Sequence, residues 1–173
     1  DFSNVAILSD YYISRKKDGQ YYDFVYIEGI ATAPREKETD SGGLDNILSA
    51  ANGTGEYGIN GKVERGCKQV TNKICVILKS KRLTGATIGS LYLDVFGFSR
   101  GAAAARRFIS CIDNPHGDCA ESFDRIRLSF NVCLRKHFRE KGLYVKNIIP
   151  CFLGLFDTVS SYGYNFKDDV QEL

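Results

Sequence analysis

The residues best suited to chemistry in this 173-residue chain are in the sequence GFSRG at residues 97–101, a G-x-S-x-G pattern. Seven residues of strand-forming type precede it (SLYLDVF, 90–96), and an alanine-rich helical segment follows. On such a strand-turn-helix, a serine is held in a strained backbone conformation that exposes its hydroxyl. Gly97 and Gly101 are the small residues that let strand and helix approach closely. The pattern predicts that Ser99 is a nucleophile.

The helix predicted after Ser99 directs its positive dipole end and its first backbone amides toward the serine. The amide of Arg100 is therefore the predicted donor to an oxyanion. The alternative is that Ser99 only caps a helix.

Asp157 is the natural acid to accompany this serine. It ends a continuous apolar run at residues 145–156 (VKNIIPCFLGLF), which predicts a strand buried on both faces. Site residues collect at the carboxyl ends of parallel strands, so Asp157 is expected at the same sheet edge as Ser99. The alternative is a helix-capping or turn aspartate.

A serine nucleophile also needs a histidine base. Where the serine lies on a strand-turn-helix of this kind, the order along the chain is serine, acid, histidine. Both histidines precede Asp157: His116 lies in a polar turn, and His137 reads as a surface or half-buried helix residue. Either the base lies outside this chain, or the protein is not a hydrolase.

Other site patterns are weaker. GTGEYG at residues 53–58 matches G-x-G-x-x-G, but it does not follow a strand or open a helix, which disfavours nucleotide binding. The six cysteines include no C-x-x-C pair, so neither a metal nor another cofactor is expected. Cys111 and Cys119 flank a turn-rich loop and could form a local disulfide in an oxidising compartment. Three others read as small buried hydrophobes: Cys75, Cys133 and Cys151.

Composition bounds the protein class. A chain that is 43% hydrophobic and 25% charged is typical of one globular domain. A net charge of +2 disfavours nucleic acid as a partner, and no apolar run approaches the length of a membrane span, which predicts a soluble protein. The absence of methionine indicates a fragment or a processed product.

The elements that must position the site follow from periodicity. The first part of the chain predicts a helix at 3–13 after a Ser-Asn capping signal, a buried strand at 20–30, a loop-like region at 31–62 with a short helix at 44–51, and a helix at 63–78.

The second part predicts a strand at 90–96, helices at 101–112 and 121–141, and a strand at 145–156, in which Pro150 suits a strand start or a bulge. Alternation of strands and helices predicts an α/β fold with a mostly parallel sheet flanked by helices.

Two blocks carry a family resemblance: YLDVFGFSRGAAAARRFI at 92–109 and FLGLFDTVSSYG at 152–163. They resemble the signatures G-F-S-R-G-A and G-x-x-D-T-V of the α/β-hydrolase catalytic domain of type VI secretion lipase effectors and their uncharacterised relatives. Weaker likenesses are SNV at 3–5, YYDFVYIEGIAT at 21–32 and GTGEYGING at 53–61. The resemblance implies Ser99 as nucleophile, Asp157 as triad acid and hydrolysis of membrane phospholipid esters.

The family pattern also extends beyond both ends of this chain. Its members have a strand before the S-N-V position and a histidine block after the point where this chain ends, so residues 1–173 are expected to be a single but incomplete α/β-hydrolase-like domain. The resemblance implies a lipid or other ester substrate, and a secretion-apparatus or immunity protein as partner. It also implies synthesis in the bacterial cytoplasm and delivery to a target cell. The alternative is a non-enzymatic interaction domain of the same fold, or one part of a split protein.

Overall fold

The computed structural model describes residues 3–12, 14–29, 59–112 and 134–158, with only the backbone of Cys111. Several sequence predictions lie outside these residues and are not addressed by the structure: the helix at 44–51, the glycine-rich 53–58 sequence, His116, Cys133 and the Cys111–Cys119 disulfide.

The first helix, α1, spans Asn4–Tyr11. The Ser3 hydroxyl accepts a hydrogen bond from the Ala6 amide at 3.3 Å, so Ser3 is the N-cap and the predicted capping signal is confirmed. The helix is shorter than the predicted 3–13, because Tyr12 already has extended backbone angles.

A small antiparallel hairpin follows, made of β1 (Arg15–Lys17) and β2 (Gln20–Tyr22). Asp18 and Gly19 form its turn with φ of 51° and 78°. Two consecutive positive φ angles are those of a type I′ turn, for which Asp-Gly is a preferred sequence. The Asp-Gly pair is therefore a sequence signal for this hairpin, which hydrophobic periodicity does not contain.

The predicted buried strand at 20–30 is wrong in its extent and in its burial, because regular pairing stops at Tyr22 and none of the described residues 20–29 is buried. Asp23 accepts hydrogen bonds at Oδ1 from the Ser14 hydroxyl (2.7 Å) and from the amide of Phe24 (2.8 Å). Such local bonds from an aspartate compete with ladder pairing. Residues 23–29 continue without regular secondary structure.

The remaining elements are α2 (Ile59–Ser80), β3 (Thr87–Phe98), α3 (Arg100–Ile112), α4 (Leu134–Glu140) and β4 (Tyr144–Phe156). Each corresponds to a predicted element of the same type. The helix α2 begins four residues before the predicted start, and β3 is longer than predicted at both ends. Of the predicted helix at 121–141, the described part is α4.

Strands β3 and β4 pair in parallel, from Thr87 opposite Tyr144 to Phe98 opposite Phe156. A register shift lies between Leu93 and Asp94, next to Pro150, which agrees with the expectation of a bulge at that proline. The structure thus confirms a mixed α/β chain with a small parallel sheet flanked by helices.

The hydrophobic core lies among the three later helices and the sheet. Its buried members are Ile59, Val63, Cys67, Ala103, Phe108, Ile112, Leu134, Phe138 and Ile148. On β3, Leu91, Leu93 and Val95 pack against this cluster, so alternate residues of that strand face the helices.

The prediction that β4 is buried on both faces is wrong for the part of the chain that the structure describes. Phe152 is 54% exposed, and Leu153 and Leu155 are also exposed. Within the described ranges β4 pairs only with β3, so its outer edge is uncovered. Cys151 is likewise exposed and Cys75 is only partly buried, so the prediction of buried cysteines is wrong for both.

Candidate functional site

Ser99 occupies the turn between the end of β3 and the start of α3. Its φ is 56°, in the left-handed region that non-glycine residues rarely adopt. Its amide donates to the Phe156 carbonyl at 2.9 Å, and its carbonyl accepts from the Ala102 amide at 2.9 Å. The prediction of a tight strand-turn-helix with positive φ is confirmed, while the nucleophilic role of Ser99 stays a prediction.

Gly97 is required by the close approach of strand and helix. A Cβ at Gly97 would lie 2.6 Å from the Ala102 Cα and closer still to the Gly101 carbonyl. These are backbone atoms, which cannot move without displacing α3. The steric reason given for a glycine at position 97 is therefore confirmed.

The same reason does not hold for Gly101, and that prediction is corrected. Apart from the helix's own nearby backbone, a Cβ at Gly101 would meet no atom within 4 Å among the described residues. Gly101 already lies in the first turn of α3. Within the described ranges a Cβ therefore fits at position 101 without moving the strand or the helix.

The helix α3 begins at Arg100, immediately after Ser99. Its first amides and the positive end of its dipole therefore lie at the serine, as the sequence predicts. Such an end stabilises negative charge that develops next to it. The assignment of the Arg100 amide as an oxyanion donor stays a prediction.

Asp157 directly follows β4 and is exposed, with φ of 48°. Within the described residues no hydrogen bond or ion pair involves its carboxylate, so neither Arg106 nor another cation there neutralises it. An exposed carboxylate without such a partner can accept a hydrogen bond from another group.

The structure brings Ser99 and Asp157 to one edge of the sheet. The last register pair is Phe98 with Phe156, so the two site residues are the next positions on neighbouring parallel strands. Neighbouring strands are about 4.8 Å apart. The expectation that serine and acid share the carboxyl edge is thus met by the backbone. An imidazole that bridges the two groups needs roughly 6 to 9 Å between the Ser99 hydroxyl and the Asp157 carboxylate, and this separation stays a prediction.

His137 is not part of this edge. It lies on α4, which precedes the amino end of β4, and a strand of 13 residues is about 43 Å long. Its Nδ1 is 3.6 Å from Glu140 Oε2, and its Nε2 is buried with no hydrogen-bond partner among the described residues. The expectation of a surface or half-buried residue is wrong, because His137 is only 8% exposed.

An aromatic cluster beneath the Ser99 edge was not identified from the sequence. The Phe96 ring lies 5.3 Å from the Phe152 ring and 6.0 Å from the Tyr12 ring, which meets it edge-on. Burial, the negative charge of Asp94 and a hydrogen bond to that carboxylate raise the pKa of Tyr12 above its ordinary value. Tyr12 therefore ties the end of α1 to β3.

Gly154 is a second residue that sequence reasoning did not single out. It is buried opposite Phe96, and a Cβ there would lie 2.7 Å from Phe96 Cδ1 and 2.9 Å from Phe152 Cε1. The available signal was the glycine in the FLGLFD sequence, since a glycine inside a strand often marks a close approach by another group.

Among the described residues no group of three or more histidine, cysteine or acidic side chains could hold a metal ion. In the same part of the chain, no helix has the length and apolar character needed to cross a membrane. Cys67, Cys75 and Cys151 form no disulfide within the described part of the chain.

Comparison with protein-family models, with curated proteins and with solved structures found no match to this chain.

Proposed function

We propose that this chain is the core of a serine esterase, with Ser99 as the nucleophile and Asp157 as the acid that orients the base. The observation that carries the proposal is the strained Ser99 turn, which stands beside Asp157 at the carboxyl ends of two paired parallel strands. A non-glycine residue in the left-handed region costs about 1–2 kcal/mol, and strain of this kind clusters at functional sites.

The chemistry assigned to each group is that of acyl transfer. The Ser99 hydroxyl attacks the ester carbonyl and gives its proton to a histidine supplied from outside this chain, which later protonates the leaving alcohol. The amino end of α3 stabilises the oxyanion of the tetrahedral intermediate. Water then hydrolyses the acyl-serine by the reverse sequence. The finer assignment, phospholipid esters as the substrate, rests on the resemblance of the GFSRGA and GLFDTV sequences.

The test is Ser99→Ala in the natural protein that contains this chain, assayed on phospholipid vesicles and on a soluble short-chain ester. Removal of a nucleophile is expected to lower turnover on the order of 10⁴-fold. Asp157→Asn is expected to lower it on the order of 10³-fold or more, and asparagine tolerates the positive φ at this position. Ser80→Ala is the matched control, because Ser80 is exposed at the far end of α2.

A fluorophosphonate probe provides a second measurement, since it modifies activated serines covalently and releases fluoride. We expect modification in the natural protein and in Ser80→Ala, and none in Ser99→Ala. Equal modification of all three proteins, or none in any of them, would support the interaction-domain alternative. Activity on the soluble ester but not on vesicles would retain the esterase and reject the phospholipid substrate.

A further inference from the structure

The pairing of β3 with β4 changes register halfway along the sheet. Leu93 stands opposite Pro150, but the next residue, Asp94, stands opposite Phe152. One residue of β4, Cys151, is therefore absorbed between the two halves. A one-residue change of register turns every later side chain to the other face of the sheet, so this bulge determines which residues face each other beyond it.

The bulge determines which residue of the β4 chain stands opposite Ser99. Continued past Phe98, the register beyond the bulge brings Ser99 opposite Asp157, in agreement with the bond from the Ser99 amide to the Phe156 carbonyl. If the register before the bulge continued, Ser99 would stand opposite Phe156. Asp157 would then lie one residue, about 3.3 Å, farther along its strand.

The contact between Phe96 and Gly154 is what selects the register beyond the bulge. The Phe96 and Phe152 rings, whose centroids are 5.3 Å apart, both border the space where a side chain at position 154 would stand, and the Phe96 ring lies nearest to it. A slip of one residue in either direction would bring Leu153 or Leu155 opposite the ring. Only the observed register places a residue without a side chain there.

We infer that Gly154 is a positioning residue that fixes the register of β4 beneath the Phe96 ring and thereby sets Asp157 level with Ser99. Phe96 lies three residues before Ser99, and Gly154 lies three residues before Asp157. The contact between them is therefore close to the carboxyl ends of both strands. The catalytic meaning of this alignment rests on the proposed function, whereas the alignment itself is a property of the sheet.

The alignment can be measured without activity, by hydrogen exchange at the Ser99 amide. This amide makes the last bond of the ladder, to the Phe156 carbonyl. In Gly154→Ala we expect its protection factor to fall at least tenfold, while protection in α2 is unchanged. Gly89→Ala is the matched control: it makes the same change on β3 at a glycine whose Cβ would meet nothing within 4 Å among the described residues. It should leave the Ser99 amide as protected as before.

A compensating change keeps the test decisive. Phe96→Val removes the ring atoms that lie nearest to a Cβ at position 154 and keeps a strand-forming residue. The other close atom, Phe152 Cε1, belongs to an exposed ring that can turn toward solvent. The double variant Gly154→Ala/Phe96→Val should recover the Ser99 protection lost in Gly154→Ala alone. If Gly154→Ala does not fold, recovery of folding in the double variant is the expected result. A double variant as perturbed as the single one overturns the inference.

The rate of fluorophosphonate modification of Ser99, per folded molecule, shows whether Gly154 positions the site residues or only stabilises the fold. A merely structural glycine would change the folded fraction but not this rate, whereas a positioning residue should lower it at least tenfold, with recovery in the double variant. If the natural protein shows no Ser99-dependent modification, the proposed function fails, and hydrogen exchange still decides the role of Gly154. Unchanged Ser99 protection in Gly154→Ala overturns the inference whatever the modification shows.

Discussion

At the scale of single residues, the site depends on backbone φ angles that are unfavourable for residues with a side chain. Ser99 and Asp157 both have positive φ, and each directly follows a strand of the parallel pair. The surrounding contacts must hold Ser99 in this conformation, and its two backbone hydrogen bonds to other elements do so. The strain can be measured separately from activity.

We predict that Ser99→Gly is more stable than Ser99→Ala by about 1 kcal/mol, because glycine adopts a positive φ without steric cost and alanine does not. The measurement is the free energy of unfolding from denaturant titration of both variants. Ser90 on the same strand is the control, since its φ is not positive. There the order should reverse, with glycine less stable than alanine by about 0.5–1 kcal/mol. The same order at both serines would contradict the strained turn.

At the scale of elements, the site depends on how closely β3 approaches α3. Gly97 lies at the narrowest point, against the backbone of the first turn of the helix. Gly101, four residues later, belongs to the same G-x-S-x-G pattern but makes no such approach in the described structure. The two glycines are therefore equivalent in sequence and different in packing.

We predict that Gly97→Ala lowers the free energy of unfolding by about 2 kcal/mol, because the added methyl group can be accommodated only by moving α3. Gly101→Ala should be neutral or should raise stability by up to about 1 kcal/mol, since alanine favours the helix and the position is open. Thermal or urea unfolding of the two variants gives the comparison. Equal losses in both would show that Gly101 is as tightly packed as Gly97.

At the scale of the whole molecule, residues 23–29 are attached to α2 by ion pairs rather than by strand pairing. Lys73 Nζ lies 3.1 Å from Asp23 Oδ1, and Arg65 Nη1 lies 3.3 Å from Glu28 Oε2. Burial by itself would raise the pKa of Asp23, but hydrogen bonds from the Ser14 hydroxyl and the Phe24 amide, together with Lys73, lower it below its ordinary value. The attachment of this segment therefore depends on pH.

Because the pKa of Asp23 is lower in the folded than in the unfolded state, its charge stabilises the fold above about pH 4, and this contribution is lost as the pH falls through the folded pKa. We predict that Asp23→Asn lowers the free energy of unfolding by about 1 kcal/mol at pH 7 and by almost nothing near pH 2. Urea titrations across this range measure the difference. A loss of the same size at pH 7 and near pH 2 would contradict the role of the Asp23 charge.

The sequence by itself determined the local part of this protein. The Ser3 cap, the strand-turn-helix at Ser99 and the strand before Asp157 all follow from residue type and periodicity, because they depend on neighbours within a few positions. The same signals place both site residues at strand ends. The Asp-Gly turn of the first hairpin is equally local and was available in the sequence.

Only the tertiary structure decided the features that depend on residues far apart in the chain. These are the register shift at Cys151, the ring of Phe96 above Gly154, the burial of His137 and the difference between Gly97 and Gly101. Each is set by which atoms of another element occupy a given space, and periodicity carries no information about that. The alignment of Ser99 with Asp157 belongs to this second group. It depends on the register of two strands 58 positions apart, and that register is set by how the side chains of the two strands pack.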